Sequence, residues 1–130
     1  MSKHFGEHLM IDGYEGDLIL LNSREIMENI LDELPKRLGM HVLLGPHITQ
    51  APDNGLKDPG GWSGFIIIAE SHISIHTFPK RGFLSADLYT CKNGLDKNFV
   101  IEYIKSKYAL KQIEQNFVIR GVRYPEKNIL

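Results

Sequence analysis

The strongest constraint on the fold lies in residues 63–78. Phe65-Ile66-Ile67-Ile68-Ala69 closes a short apolar run over residues 63–69, the pattern of a buried strand. Just beyond it, Ile73 and Ile75 alternate with His72, Ser74 and His76, the pattern of a strand covered on one face only. Two such strands so close together call for a sheet with apolar cover on one side.

The rest of the chain supplies that cover. Residues 8–14 have partial strand character and end in turn residues. Asn22 or Ser23 can cap a helix in which Ile26, Ile30, Leu31 and Leu34 recur on one side. Gly39 fits its stop, and Pro35 is expected to end it early or kink it. Residues 42–44 are a short strand candidate. From 45 to 61 the chain carries Pro46, Pro52 and Pro59 with Gly45, Gly55, Gly60 and Gly61, and reads as a long loop. Residues 84–91 form another strand, with Ala86 and Leu88 on one face and Asp87 and Tyr89 on the other. Residues 95–109 form a helix with Phe99, Ile101, Tyr103 and Ile104 as candidates for its buried side, and residues 113–122 a last strand. Helices separated by strand pairs predict an α+β fold: a two-layer sandwich, one antiparallel sheet with two helices on one face.

Size and composition limit the function classes. A chain of 130 residues is expected to be a single domain, 1–130, that buries roughly two thirds of its unfolded surface without a staple. The net charge of −1, with both signs mixed along the chain, leaves no footprint for nucleic acid or membrane. No apolar run is long enough to span a bilayer, residues 1–6 lack a signal core, and one cysteine forms no internal disulfide. These readings point to a cytoplasmic protein. His72 and His76 do not suggest a metal pair, because on a strand they lie about 13 Å apart.

The chemistry concentrates at Glu70-Ser71-His72-Ile73-Ser74-Ile75-His76-Thr77-Phe78-Pro79. The Ser71 hydroxyl lies beside the Glu70 carbonyl and can take the acyl group from nitrogen to oxygen. The stretch resembles the self-cleaving site of the prokaryotic S-adenosylmethionine decarboxylases, Glu-Ser-His-x-x-x-His-Thr-x-Pro. The resemblance implies cleavage between Glu70 and Ser71 into chains 1–70 and 71–130. Elimination from the ester then gives dehydroalanine, which loses ammonia and leaves Ser71 as a covalent pyruvoyl group, the cofactor. It also implies that His76 and Ser63 serve the self-cleavage, and that Cys91 in Asp87-Leu88-Tyr89-Thr90-Cys91 is the proton donor. The expected catalytic set is therefore Ser71, His76, Cys91, Ser63 and Glu70, with Lys80, Ile75 and Phe78 binding substrate and no metal. The implied reaction is decarboxylation, through a Schiff base, of a small amine-bearing substrate in polyamine synthesis. The implied assembly is a homodimer with active sites near its interface.

Two departures from the family pattern bear on the substrate. The family usually has a ribose-binding glutamate after the motif's proline, where this chain has Lys80 followed by Arg81. The family's adenine-stacking aromatic has no counterpart in 45–61, with Trp62 the nearest. S-adenosylmethionine is the default substrate. Arginine or ornithine is the runner-up, with Asp53 and Asp58 available to a distal cation and Lys80 or Arg81 to a carboxylate. An unprocessed relative that acts only by binding is the alternative of a different class.

Overall fold

The computed structural model describes residues 4–55, 60–125 and 127. Its elements in chain order are β1 (Gly6–Tyr14), α1 (Leu18–Leu21), α2 (Arg24–Arg37), β2 (Val42–Ala51), β3 (Gly61–Ile68), β4 (Ser71–Phe78), a 3-10 turn (Pro79–Arg81), β5 (Phe83–Thr90), α3 (Lys97–Tyr108) and β6 (Gln112–Arg120). The six strands form one sheet in the order β2-β3-β4-β5-β1-β6, and every neighbouring pair is antiparallel.

Period-two alternation decides which face is covered. Leu9 and Ile11 of β1, Ile66 and Ile68 of β3, Ile73 and Ile75 of β4, and Leu84, Ala86 and Leu88 of β5 are buried together. Met27, Ile30, Leu31 and Leu34 of α2 and Val100, Ile101 and Ile104 of α3 meet them. The intervening residues, among them His8, Met10, His72, Ser74, Asp87 and Tyr89, lie on the other face and are only half-buried. The two long helices thus lie on one side, as expected for the α+β sandwich. Among the described residues no helix is long and apolar enough to cross a membrane.

The helix ends follow capping chemistry. Ser23 Oγ accepts from the Ile26 amide at 3.1 Å, so Ser23 rather than Asn22 caps α2. Asp96 Oδ1 accepts from the Phe99 amide at 3.1 Å and starts α3. Pro35 does not stop α2, which continues to Arg37. Its ring sits in the last turn and packs into the core, while its carbonyl accepts from the Met40 amide at 2.9 Å. The Gly39 amide bonds the Lys36 carbonyl at 3.1 Å with Gly39 at φ 70°, so the pair of bonds closes the helix as a Schellman motif.

Three expectations need correction. The segment 45–61 is not all loop: β2 runs to Ala51, through the cis Gly45–Pro46 bond. It is an edge strand with a register shift between Leu44 and His47, the setting in which a proline costs no essential ladder bond. A four-residue helix, α1, capped by Asp17, precedes α2 and was not anticipated, being too short to show a period. In α3, Val100 and Tyr108 are buried and Phe99 only partly so.

Candidate active site

The β3–β4 hairpin builds the first half of the site. Ile68 pairs with Ser71, so Ala69 and Glu70 form a two-residue turn between adjacent strands. The Ala69 amide donates to the His41 carbonyl at 2.8 Å and ties the turn to the start of β2. Glu70 sits at φ 60°, a left-handed conformation that costs a non-glycine residue on the order of 1 kcal/mol. The Glu70–Ser71 bond therefore leaves a strained residue and enters a strand, with Ser71 only 8% exposed.

Strand β5 brings the thiol to the same place. His72 pairs with Tyr89, so the first residue past β5, Cys91, lies beside the residue that precedes β4, Glu70. The Cys91 thiol donates to Glu70 Oε2 at 3.1 Å. Burial pushes its pKa above the ordinary thiol value, and the Glu70 carboxylate adds to the rise. The Ser71 hydroxyl works in the opposite direction. Glu70, Ser71 and Cys91 thus form one group.

Ser63 and His76 form another. They are directly paired across β3 and β4, and Ser63 Oγ lies 2.8 Å from His76 Nδ1 in a hydrogen bond. Both belong to the uncovered face of the sheet, whereas Ser71 shares the helix-side face with Ile73 and Ile75. His76 is five residue steps from Ser71, about 16 Å along the strand. Within one chain, His76 does not reach the Glu70–Ser71 bond.

The expected substrate-binding residues divide as well. Ile75 is fully buried and its side chain belongs to the core, not to a cleft. Phe78 lies at the far end of β4, its ring centroid 5.5 Å from that of Phe83. Lys80 Nζ lies 3.7 Å from Asp53 Oδ2, so the two candidates for opposite ends of a substrate pair with each other. Asp58 lies outside the described residues.

Two clusters were missed. A cleft of about 380 Å³ on the uncovered face is lined by His47, Thr49, Phe65 and Ser74 together with Ser63 and His76. The rings of His47 and Phe65 stack there, 5.5 Å apart. Reading 45–61 as loop hid His47, although its alternation with Ile48 was a usable signal. Nearer Ser71 on the same face, His8 Nε2 lies 3.1 Å from Asp87 Oδ1, and Arg120 donates to His8 Nδ1 at 3.2 Å. Arg120 covers the Tyr89 ring at 4.9 Å, and the His72 ring lies 5.7 Å from that of Tyr89. Burial, then the neighbouring His8, hold the His72 imidazole below its ordinary value. This cluster draws on β1, β4, β5 and β6, and no local signal joins them.

Residues 7–121 match the profile of a family described as S-adenosylmethionine decarboxylase. The chain belongs to that family. The S-adenosylmethionine decarboxylase proenzyme of Clostridium botulinum is 31% identical over 119 residues, covering 92% of this chain and 97% of that protein. The protein of the same name from Brevibacillus brevis is 31% identical over 118 residues, covering 91% and 84%. The crystal structure of the adenosylmethionine decarboxylase from Aquifex aeolicus superposes with a TM-score of 0.80 at 28% identity, covering 98% of this chain and 99% of that one. The stretch matched to the S-adenosylmethionine decarboxylase family contains both groups, Glu70-Ser71 with Cys91 and Ser63 with His76.

Proposed function

We propose that this chain is a self-cleaving proenzyme of a pyruvoyl-dependent S-adenosylmethionine decarboxylase that serves polyamine synthesis. The observation that carries the reading is the Glu70–Ser71 bond at a strained turn with the only cysteine hydrogen-bonded at its side. The Ser71 oxygen attacks the Glu70 carbonyl carbon, and the bond from that carbon to the Ser71 nitrogen breaks to leave an ester. A base then removes the Ser71 α-proton, Glu70 departs with a free carboxylate, and the dehydroalanine left behind takes up water through its imine form and releases ammonia to give the pyruvoyl ketone. The residues fit a pyruvoyl group at this place: the new chain end would lie beside a thiol held protonated and against the covered side of the sheet. Such a group supplies an electron sink for loss of carbon dioxide from an amine-bearing substrate. Cys91 holds a proton on Sγ at the same place, ready for the carbon that lost carbon dioxide.

The separation of His76 from Ser71 supports a homodimer. A second copy laid on the uncovered face would offer its own His76 and Ser63 as the polar pair for the partner's Glu70–Ser71 bond. That face carries half-buried Met10 and Tyr89 and exposed Phe65 and Val118, and among the described residues no helix covers it.

The deciding experiment is denaturing electrophoresis and intact mass of purified protein. Two chains are expected, the first ending at Glu70, and Ser71→Ala is expected to stay whole. A Ser71→Ala protein that still splits would sink the mechanism. Carbon dioxide release from S-adenosylmethionine, arginine and ornithine under identical conditions then tests the substrate, with S-adenosylmethionine expected to be turned over fastest.

A further inference from the structure

The steps above use the Glu70 carbonyl and leave its side chain idle. We infer that Glu70 is the positioning residue of the Cys91 thiol and keeps that role after its own peptide bond is cut. The inference rests on the reading of Ser71 and Cys91 just given.

The geometry is specific. Glu70 Oε2 accepts the Cys91 S–H at 3.1 Å, and among the described residues no cation pairs with that carboxylate. The turn fixes the backbone from which the side chain leaves. Glu70 is held at φ 60° between Ala69, bonded to His41, and Ser71, paired with Ile68. An anion that accepts the S–H fixes where Sγ points and opposes its ionisation, since a thiolate would face a carboxylate. The rise in the thiol's pKa agrees with this.

The other groups around the thiol do not replace Glu70. The Ser71 hydroxyl favours the thiolate. The Lys92 ammonium, next in the chain, is directed to the Leu38 carbonyl at 3.4 Å. From the β2 side His41 offers its backbone carbonyl, and that is taken by Ala69.

Cleavage adds to the effect. Elimination at Ser71 leaves Glu70 with an α-carboxylate as well as its side chain. Two anions beside Sγ would keep the donor loaded at pH values where a free thiol begins to ionise. The end of the first chain is on this account a working part of the site.

Cys91 is the only cysteine, so its alkylation by iodoacetamide, followed by intact mass, reads this thiol alone. In the uncut Ser71→Ala background, Glu70→Gln is expected to speed alkylation severalfold near neutral pH, while Glu70→Asp keeps it slow. Unchanged or slower alkylation in Glu70→Gln would overturn the inference. Equal acceleration by Gln and Asp would overturn it too, because disturbance of the turn would then explain both. In processed protein the same Glu70→Gln acceleration is expected, and its absence there would remove the role after cleavage. Splitting of the Ser71→Ala chain would instead count against the processing mechanism. The alkylation comparison would stand, since the Glu70–Cys91 contact exists in the uncut chain.

Discussion

At the scale of single residues, two acids behave in opposite ways. The Cys91 thiol is kept protonated by its surroundings, which suits a proton donor. Cys91→Ala is therefore expected to process normally and to turn over about 10²–10⁴-fold more slowly, as steady-state assay of the processed variant would show. Full activity would remove the thiol from the chemistry. Glu7, only 6% exposed, is kept ionised. Burial pushes its carboxyl up, but the Leu95 and Gly94 amides and His4 outweigh burial and hold it below its ordinary value of 4.5. A carboxyl depressed on folding stabilises above its unfolded pKa, and that contribution fades as pH falls through the folded one. Glu7→Gln should cost about 1.5–3 kcal/mol at neutral pH. The gap from the parent should narrow below pH 4.5, as urea midpoints at a series of pH values would reveal.

At the scale of elements, most of the fold was legible because each core element carries its own period. The alternation in 71–78 and 83–90 and the Ile30-Leu31-Leu34 stripe state both the element and its buried side. β2 was obscured because edge strands tolerate the Gly45-Pro46 pair that would end a central one. The motif singles out Ser71, His76, Ser63 and Cys91 in the chain, but not which of them meet. That depends on which face each side chain takes and on strand length, and a motif encodes neither. Gly64 shows how closely α2 is laid on β3. A Cβ there would stand 2.8 Å from Met27 Sδ and 2.9 Å from Leu31 Cδ1. Gly64→Ala should therefore destabilise by about 1–3 kcal/mol, read from a denaturant midpoint. An unchanged midpoint would mean that Met27 and Leu31 yield freely.

At the scale of the whole molecule, the gap between His76 and Ser71 makes a test of assembly. If one copy serves the partner's cleavage bond, Ser71→Ala and His76→Ala chains should each fail to process alone. Co-expressed with different tags, they should form mixed dimers in which the His76→Ala chain is cut. Absence of that cut chain from dimers shown to be mixed would confine His76 to its own protomer.

The strand order carries a further consequence. The first chain, 1–70, would hold β1, β2 and β3, and the second β4, β5 and β6, yet β1 lies between β5 and β6. The pieces are interleaved, joined along β3–β4, β5–β1 and β1–β6, so neither can slide away while the sheet stands. Refolding is then a one-body event for the uncut chain and a meeting of two bodies for the cut one. After dilution from denaturant, the recovered yield of the folded sheet in the Ser71→Ala chain should be independent of concentration, and that of the processed pair should fall as it is diluted. A cell that dilutes its unfolded protein has a short window in which this sheet can be made: before the cut, when β1 can still find its place with β5 and β6 tethered to it.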